Sequence, residues 1–151
     1  MDTQNRKILW ADDEIDLLRA HHRFLDDKGF AVTPVSNGQD AIALITQEPF
    51  DIVLLDEMMP GLDGLSTLEQ IKTVDPNVPV IMITKNEEER LMEEALGQRI
   101  DDYLTKPVNP SQILSACKKL LDARQILKDR MCLDYVAASN RMREMMATAS
   151  S

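Results

Sequence analysis

The chain carries a set of polar side chains, together with one proline, whose spacing suits the chemistry of phosphate. Each of them follows a short apolar run of the kind that forms a buried strand. They are Asp12, Asp13, Asp56, Thr84, Lys106 and Pro107. Because the carboxyl ends of parallel strands meet at one edge of a sheet, these groups are expected to lie together. The pattern predicts a phosphate-accepting site.

The three carboxylates of Asp12, Asp13 and Asp56 cannot share a small space unaided. Like charges repel, so at least one carboxyl group would tend to keep a proton unless a cation joined them. A site made of oxygen ligands from few residues, completed by water, suits Mg²⁺. We therefore expect a magnesium site. Taken singly, each residue has an ordinary explanation as a helix cap or a turn residue, and only their joint occurrence at strand ends favours chemistry.

The elements that must position these residues follow from the apolar pattern. The runs at 7–11, 51–55, 80–83 and 102–105 are continuous rather than alternating, which is typical of strands buried on both faces. Segments with helical spacing separate the strands, and Asn109 followed by Pro110 predicts the start of the last helix. The order is a strand and a helix repeated five times. This order predicts an α/β fold with a doubly wound parallel sheet.

Four motifs resemble the receiver domain of two-component response regulators over about residues 6–124. They are 10–14 (WADDE), 54–64 (LLDEMMPGLDG), 83–84 (IT) and 102–107 (DYLTKP). The resemblance implies a (βα)5 sheet of the flavodoxin or CheY-like kind, with strand order 2-1-3-4-5. More narrowly, residues 8–14 and 83–89 are similar to PorX-like regulators of type IX protein secretion.

The resemblance assigns phosphorylation by a histidine kinase to Asp56. A carboxylate can attack phosphorus and form an acyl phosphate, which makes this role chemically reasonable. For Mg²⁺, the resemblance implies direct bonds from Asp13 and Asp56, a bound water held by Asp12, and a bond from the backbone carbonyl of Met58.

The same resemblance assigns roles in switching. Lys106 would pair with Asp56 before transfer and with a phosphoryl oxygen afterwards, and Pro107 would fix its loop through a cis peptide bond. Thr84 would donate its hydroxyl to the phosphoryl group, and Tyr103 would sense the movement that follows. The added negative charge would bias a two-state domain, with homodimerisation as a possible output.

Composition limits the other functions. The chain has 151 residues, 44% apolar content and a net charge of −9 without a basic cluster, so direct binding of nucleic acid is not expected. No apolar run is long enough for a membrane span and there is no signal peptide, so we expect a cytoplasmic protein.

The expected domains are a receiver at 1–124 and a helical extension at 125–151. The extension continues a heptad-like seam that contains Ile113, Cys117, Leu120, Arg124, Leu127 and Met131. This seam has three explanations: a frayed last helix, a dimer interface, or the truncated start of a helical bundle. The PorX-like resemblance implies a missing bundle and a missing alkaline-phosphatase-like effector, which could be a hydrolase.

Two other function classes remain open at this stage. A phosphatase of the haloacid dehalogenase type also uses an aspartate nucleophile with Mg²⁺, but it needs a second aspartate two residues later, where this chain has Met58. The other alternative is an interaction module that works without phosphorylation. The favoured interpretation is a signalling domain that is not an enzyme beyond removing its own phosphoryl group.

Overall fold

The computed structural model describes residues 6–88 and 99–150, and five parallel strands form its centre. The strands are β1 (Arg6–Ala11), β2 (Phe30–Val35), β3 (Ile52–Asp56), β4 (Val80–Thr84) and β5 (Asp102–Thr105). The helices are a 3-10 turn (Ile15–Leu18), α1 (Arg19–Asp27), α2 (Gly38–Gln47), α3 (Gly64–Val74) and α4 (Pro110–Ser150). The helix predicted around Leu91, Met92, Ala95 and Leu96 lies outside the described residues.

The sheet has the order β2-β1-β3-β4-β5, and every neighbouring pair is parallel. This confirms the predicted fold class and strand order. After β2 the chain crosses back over β1 to form β3, so the direction of winding reverses between β1 and β3. Such a reversal opens a crevice at the carboxyl ends of the two strands.

The core consists of two layers, one on each face of the sheet. One layer packs Ile8, Trp10 and Leu54 against α1 and the start of α4, and the other packs Leu9, Val53 and neighbours against α2 and α3. All residues of β3 and β4 are buried, as their continuous apolar sequences predict. The same prediction is wrong for β5, which lies at the edge of the sheet and is only partly buried. The rigid centre therefore holds the ends of β3 and β4 in fixed positions.

Helix α3 begins directly behind the end of β3 because of its cap and its first residue. The Asp63 carboxylate accepts a hydrogen bond from the Ser66 backbone N–H at 2.8 Å, which satisfies one free donor of the first turn. Gly64 donates its N–H to the Glu57 carbonyl at 3.0 Å. A Cβ at Gly64 would lie 2.6 Å from the Asp56 carbonyl oxygen and 2.9 Å from the Glu57 Cα. Only glycine permits this approach without a backbone shift.

Replacement of Gly64 by Ala is expected to lower the free energy of unfolding by about 1–3 kcal/mol, because the methyl group meets rigid backbone atoms. Urea unfolding followed by the fluorescence of Trp10, the only tryptophan, measures this change. Unchanged stability would mean that α3 can move away from β3 without cost.

Helix α4 has two parts with different surroundings. In the first part Ile113, Ala116, Cys117 and Leu121 are buried against the sheet, and burial raises the pKa of the Cys117 thiol to about 12. At the start of the predicted seam, Ile113 and Cys117 therefore belong to the domain core, so they are not part of a dimer interface. After residue 124 the helix continues without a break, and its large apolar residues are exposed. None of the described helices combines the length and apolarity needed to cross a membrane.

Candidate phosphoacceptor and metal site

The predicted site residues meet at the carboxyl edge of the sheet. Asp12 and Asp13 follow β1, whereas Asp56 and Thr84 are the last residues of β3 and β4. Lys106 follows β5, and its backbone N–H donates to the Thr84 carbonyl at 2.8 Å. Strand β2 lies at the sheet edge and supplies none of these residues. The ends of four strands thus build one site, as the sequence predicts.

The three carboxylates are close together but differ in exposure. One oxygen atom from each of Asp12, Asp13 and Asp56 lies within 4.8 Å of the other two. Asp12 is completely buried and Asp56 is 2% exposed, whereas Asp13 faces solvent. The Asp12 Oδ1 atom accepts a hydrogen bond from the Glu14 backbone N–H at 2.8 Å, which fixes its orientation. Two buried carboxylates, Asp12 and Asp56, therefore lie beside an exposed one, Asp13.

Lys106 supplies the opposing charge. Its Nζ atom lies 3.2 Å from Asp12 Oδ2 and 3.4 Å from Asp56 Oδ1. Burial alone would lower the pKa of the Lys106 ammonium, but attraction to Asp12 and Asp56 outweighs burial and raises the pKa. The peptide bond between Lys106 and Pro107 is cis. The lysine is thus held charged between the two buried carboxylates.

The ionised form of Asp56 is nevertheless disfavoured when Lys106 is the only cation at the site. Burial, then repulsion from Asp12, and then a hydrogen bond shared with Asp13 raise the pKa of Asp56 from 3.8 to about 6, against the opposing effect of Lys106. One ammonium group does not balance the three carboxylates.

This raised pKa predicts the pH dependence of stability in the metal-free protein. The folded state binds the Asp56 proton more tightly than the unfolded state, so its stabilising effect is complete below pH 3.8 and is lost as the pH rises through about 6. Replacement of Asp56 by Asn is expected to raise the free energy of unfolding at neutral pH by roughly 2 kcal/mol. Urea unfolding in the presence of EDTA measures the difference, and a less stable variant would contradict the prediction.

The remaining predicted residues surround these charges. Thr84 is buried, and its hydroxyl donates to the Asn86 carbonyl at 3.1 Å, so it is turned toward its own loop. Tyr103 is half-buried and packs against the core layer under α2 and α3. The Met58 side chain is 62% exposed beside the site. Asp13 and Met58 are thus the exposed members of the predicted set of metal ligands.

The residues present fit a divalent metal ion. The donor set is entirely oxygen, and the three carboxylates form a group that could hold one metal ion. The Asp12 Oδ2 atom is buried and, within the described part of the chain, accepts no hydrogen bond beyond its ion pair with Lys106. Both the donor chemistry and the unsatisfied negative charge favour Mg²⁺.

Sequence reasoning missed one residue that positions the site. The His21 Nε2 atom forms a hydrogen bond with the Val108 carbonyl at 2.8 Å, and Val108 lies two residues after Lys106. The bond ties α1 to the loop that carries the lysine, beside a cavity of about 410 Å³ lined by Trp10, His21, Lys106 and neighbours. No local pattern could reveal it, because the partners are 87 residues apart.

Comparison with known proteins gives matches over most of the chain. The model of the response regulator receiver domain family matches residues 8–118. The transcriptional regulatory protein ResD of Bacillus subtilis (strain 168) is 35% identical over 119 residues, 79% of this chain and 49% of ResD. The regulatory protein VanRc of Enterococcus gallinarum is 37% identical over 117 residues, 78% of this chain and 50% of VanRc. The chain spans about half the length of these curated relatives.

Solved structures are also similar. A CheY-like response regulator receiver domain protein from Methanospirillum hungatei JF-1 has a TM-score of 0.73 and 28% identity, covering 81% of this chain and 98% of that one. The receiver domain of the sensor histidine kinase PA1611 from Pseudomonas aeruginosa PAO1 has a TM-score of 0.70 and 26% identity, covering 78% and 98%. That structure holds a magnesium ion coordinated in the active site cleft.

Proposed function

The chain belongs to the response regulator receiver domain family, and on that premise we propose that Asp56 accepts a phosphoryl group from a histidine kinase. One observation carries the proposal. The Asp56 carboxylate stands at the end of a buried strand between two further carboxylates and the Lys106 ammonium group. A nucleophile, a set of metal ligands and a fixed cation are the parts that phosphoryl transfer needs.

In the proposed reaction an Asp56 oxygen attacks phosphorus. A bond forms between this oxygen and phosphorus while the bond from phosphorus to the imidazole nitrogen of the donor breaks, and that nitrogen keeps the electron pair. The expected Mg²⁺ ligands are Asp13, Asp56 and the Met58 carbonyl, with Asp12 holding a bound water. When bound, Mg²⁺ neutralises charge on the phosphoryl oxygens. The magnesium ion in the active site cleft of the similar receiver domain of PA1611 supports magnesium as the metal.

The protein groups then stabilise the product. The Lys106 ammonium already lies 3.4 Å from Asp56 Oδ1, so a small movement brings it to a phosphoryl oxygen. Thr84 exchanges its hydrogen bond within the loop for one to the phosphoryl group. Tyr103, on the neighbouring strand, follows the displaced loop. The result is a shift between two conformations rather than turnover of a substrate.

The phosphatase alternative receives no support from the site. The position two residues after Asp56, where such an enzyme places its general acid, is Met58, which has no ionisable group. The proposal is therefore a phosphoacceptor that is not an enzyme beyond removing its own phosphoryl group.

The finer part of the proposal concerns the output. The resemblance of residues 8–14 and 83–89 supports a role like that of PorX-like regulators of type IX secretion. The proposed location is the cytoplasm. The proposed output is homodimerisation or the action of an attached effector. Deletion of the gene from its source organism tests this role. Secretion that continues unchanged would contradict the link to secretion while leaving phosphorylation intact.

The central experiment uses acetyl phosphate as a small phosphodonor in the presence of Mg²⁺. The expected product is one phosphoryl group per chain, located on Asp56 by mass spectrometry of borohydride-reduced peptides and absent when EDTA replaces Mg²⁺. A phosphoryl group on another residue, or none with any phosphodonor or histidine kinase, would contradict the proposal.

A further inference from the structure

Helix α4 presents a regular seam that passes from a buried to an exposed environment. The residues of this seam follow one another at alternating spacings of four and three positions. The seam begins with Cys117, Leu121, Arg124 and Lys128 and continues into a second part, which we call the distal seam. The distal seam consists of Met131, Tyr135, Ala138, Met142 and Met145. The same helix face thus covers the receiver core in its first part and leaves it in its second. Such spacing is that of a coiled-coil seam.

The distal seam is exposed although it is apolar. The side chains of Met131, Tyr135, Met142 and Met145 are between 63% and 73% exposed. A second exposed set, Ile126, Leu133 and Val136, lies on another face, where Asp129 interrupts it and Asn140 and Arg143 follow it. The distal seam is therefore the longer continuous apolar surface on the extension, and burying it against another helix is favourable.

We propose that the distal seam binds the distal seam of a second copy of this chain, with the two helices antiparallel. This pairing is independent of phosphorylation at Asp56. Residue sizes favour it, because an antiparallel arrangement pairs Met131 with Met142 and Tyr135 with Ala138 of the other copy. A large side chain then meets a small one at the centre. A parallel pair would instead place two tyrosines together and two alanines together.

Charge favours the same direction. Asp134 and Arg141 flank the distal seam on one side, seven residues apart. In the antiparallel pair each Asp134 lies opposite Arg141 of the other copy, which gives two ion pairs. In a parallel pair these residues face Ser139 and Met146, so neither charge has an opposite partner. Only the antiparallel arrangement gives both Asp134 and Arg141 a partner of opposite charge.

The distribution of charge over the whole chain agrees. The net charge is −9, yet residues 125–151 contain four basic and three acidic residues, so the negative charge lies on the receiver part. Antiparallel helices place the two acidic receivers at opposite ends of the pair, whereas parallel helices place them side by side. Repulsion between like charges therefore disfavours the parallel pair.

Disulfide trapping tests the direction of the helices. In a background with Cys132 changed to Ser, Met131→Cys and Met142→Cys proteins are mixed and mildly oxidised without Mg²⁺ or phosphodonor. Buried Cys117 is retained because it belongs to the core. We expect crosslinks joining one variant to the other, with few between identical chains. Crosslinks mainly between identical chains, in either variant, would indicate parallel helices and overturn the proposal.

Charge reversal tests the assigned contacts. Asp134→Arg is expected to weaken self-association by about tenfold or more in sedimentation equilibrium, and Asp134→Arg combined with Arg141→Asp is expected to restore it. Asp129→Arg, which changes an exposed acid away from the distal seam, is the matched control and should have little effect. A wild-type chain that stays monomeric up to several hundred micromolar would overturn the proposal and leave the distal seam to a different partner.

Discussion

Asp56→Asn protein is expected to remain unphosphorylated under conditions in which the wild type is fully modified. Asparagine has nearly the same shape as aspartate, so the contacts of Asp12 and Lys106 are largely kept. The amide, however, lacks the carboxylate oxygen that attacks phosphorus. Incorporation of label from acetyl phosphate with Mg²⁺ measures the effect, and the signal should fall to background.

Asp16→Asn is the matched control for this experiment. Asp16 is an exposed carboxylate in the 3-10 turn that follows the Asp12 and Asp13 pair, so the substitution changes the same group outside the site. It should be labelled like the wild type. Persistent labelling of the Asp56→Asn protein would instead place the phosphoryl group on another residue, with the exposed Asp13 as the first to examine. Trp10 fluorescence confirms that both variants are folded.

Lys106→Met protein is expected to change in two opposite directions. Its rate of phosphorylation should fall by roughly 100-fold, because an ammonium group no longer stabilises charge on the transferring phosphoryl group. Its affinity for Mg²⁺ should rise by about tenfold, because Lys106 is a cation that competes for the carboxylates of Asp12 and Asp56. Methionine keeps the length of the side chain while removing its charge.

The two effects are measured separately. Calorimetric titration gives the affinity for Mg²⁺, and the initial rate of labelling at saturating Mg²⁺ gives the effect on transfer. Lys7→Met is the matched control. Lys7 lies in β1, the strand that leads to Asp12, and its Nζ atom pairs with Glu48 Oε1 at 2.9 Å. In the described structure it contacts no carboxylate of the site. Weaker Mg²⁺ binding by Lys106→Met protein would show that the lysine organises the carboxylates rather than competing for them.

Local sequence was sufficient for four of the five strands and for the position of the site, whereas no run was identified for β2 (Phe30–Val35). Continuous apolar runs of four or five residues marked β1, β3, β4 and β5, and Asp56, Thr84 and Lys106 were found because each directly follows such a run. The strand order followed from a resemblance carried by several short motifs. The close contact of Gly64 with the end of β3 could not be predicted from the sequence, because it depends on the distance between α3 and β3.

Helix α4 shows why a repeated pattern is not enough. Its sequence spacing is nearly uniform from Ile113 onward, yet Ile113 and Cys117 are buried in the domain core while Met131 and Met142 are exposed. Burial depends on whether another element lies opposite a given helix face. The spacing identified the apolar face, and only the position of the sheet decided where along the helix that face is covered.

The sequence by itself determined which groups meet at the edge of the sheet, because parallel strands bring their carboxyl ends together whatever the details of packing. Only the tertiary structure decided their charge and orientation. Asp12 and Asp13 are neighbours in sequence, yet one is buried against Lys106 and the other faces solvent. The raised pKa of Asp56 and the bond from His21 to the loop of Lys106 likewise depend on burial and distances between remote segments. Desolvation and Coulomb forces act through space, so no local pattern of residues encodes them directly.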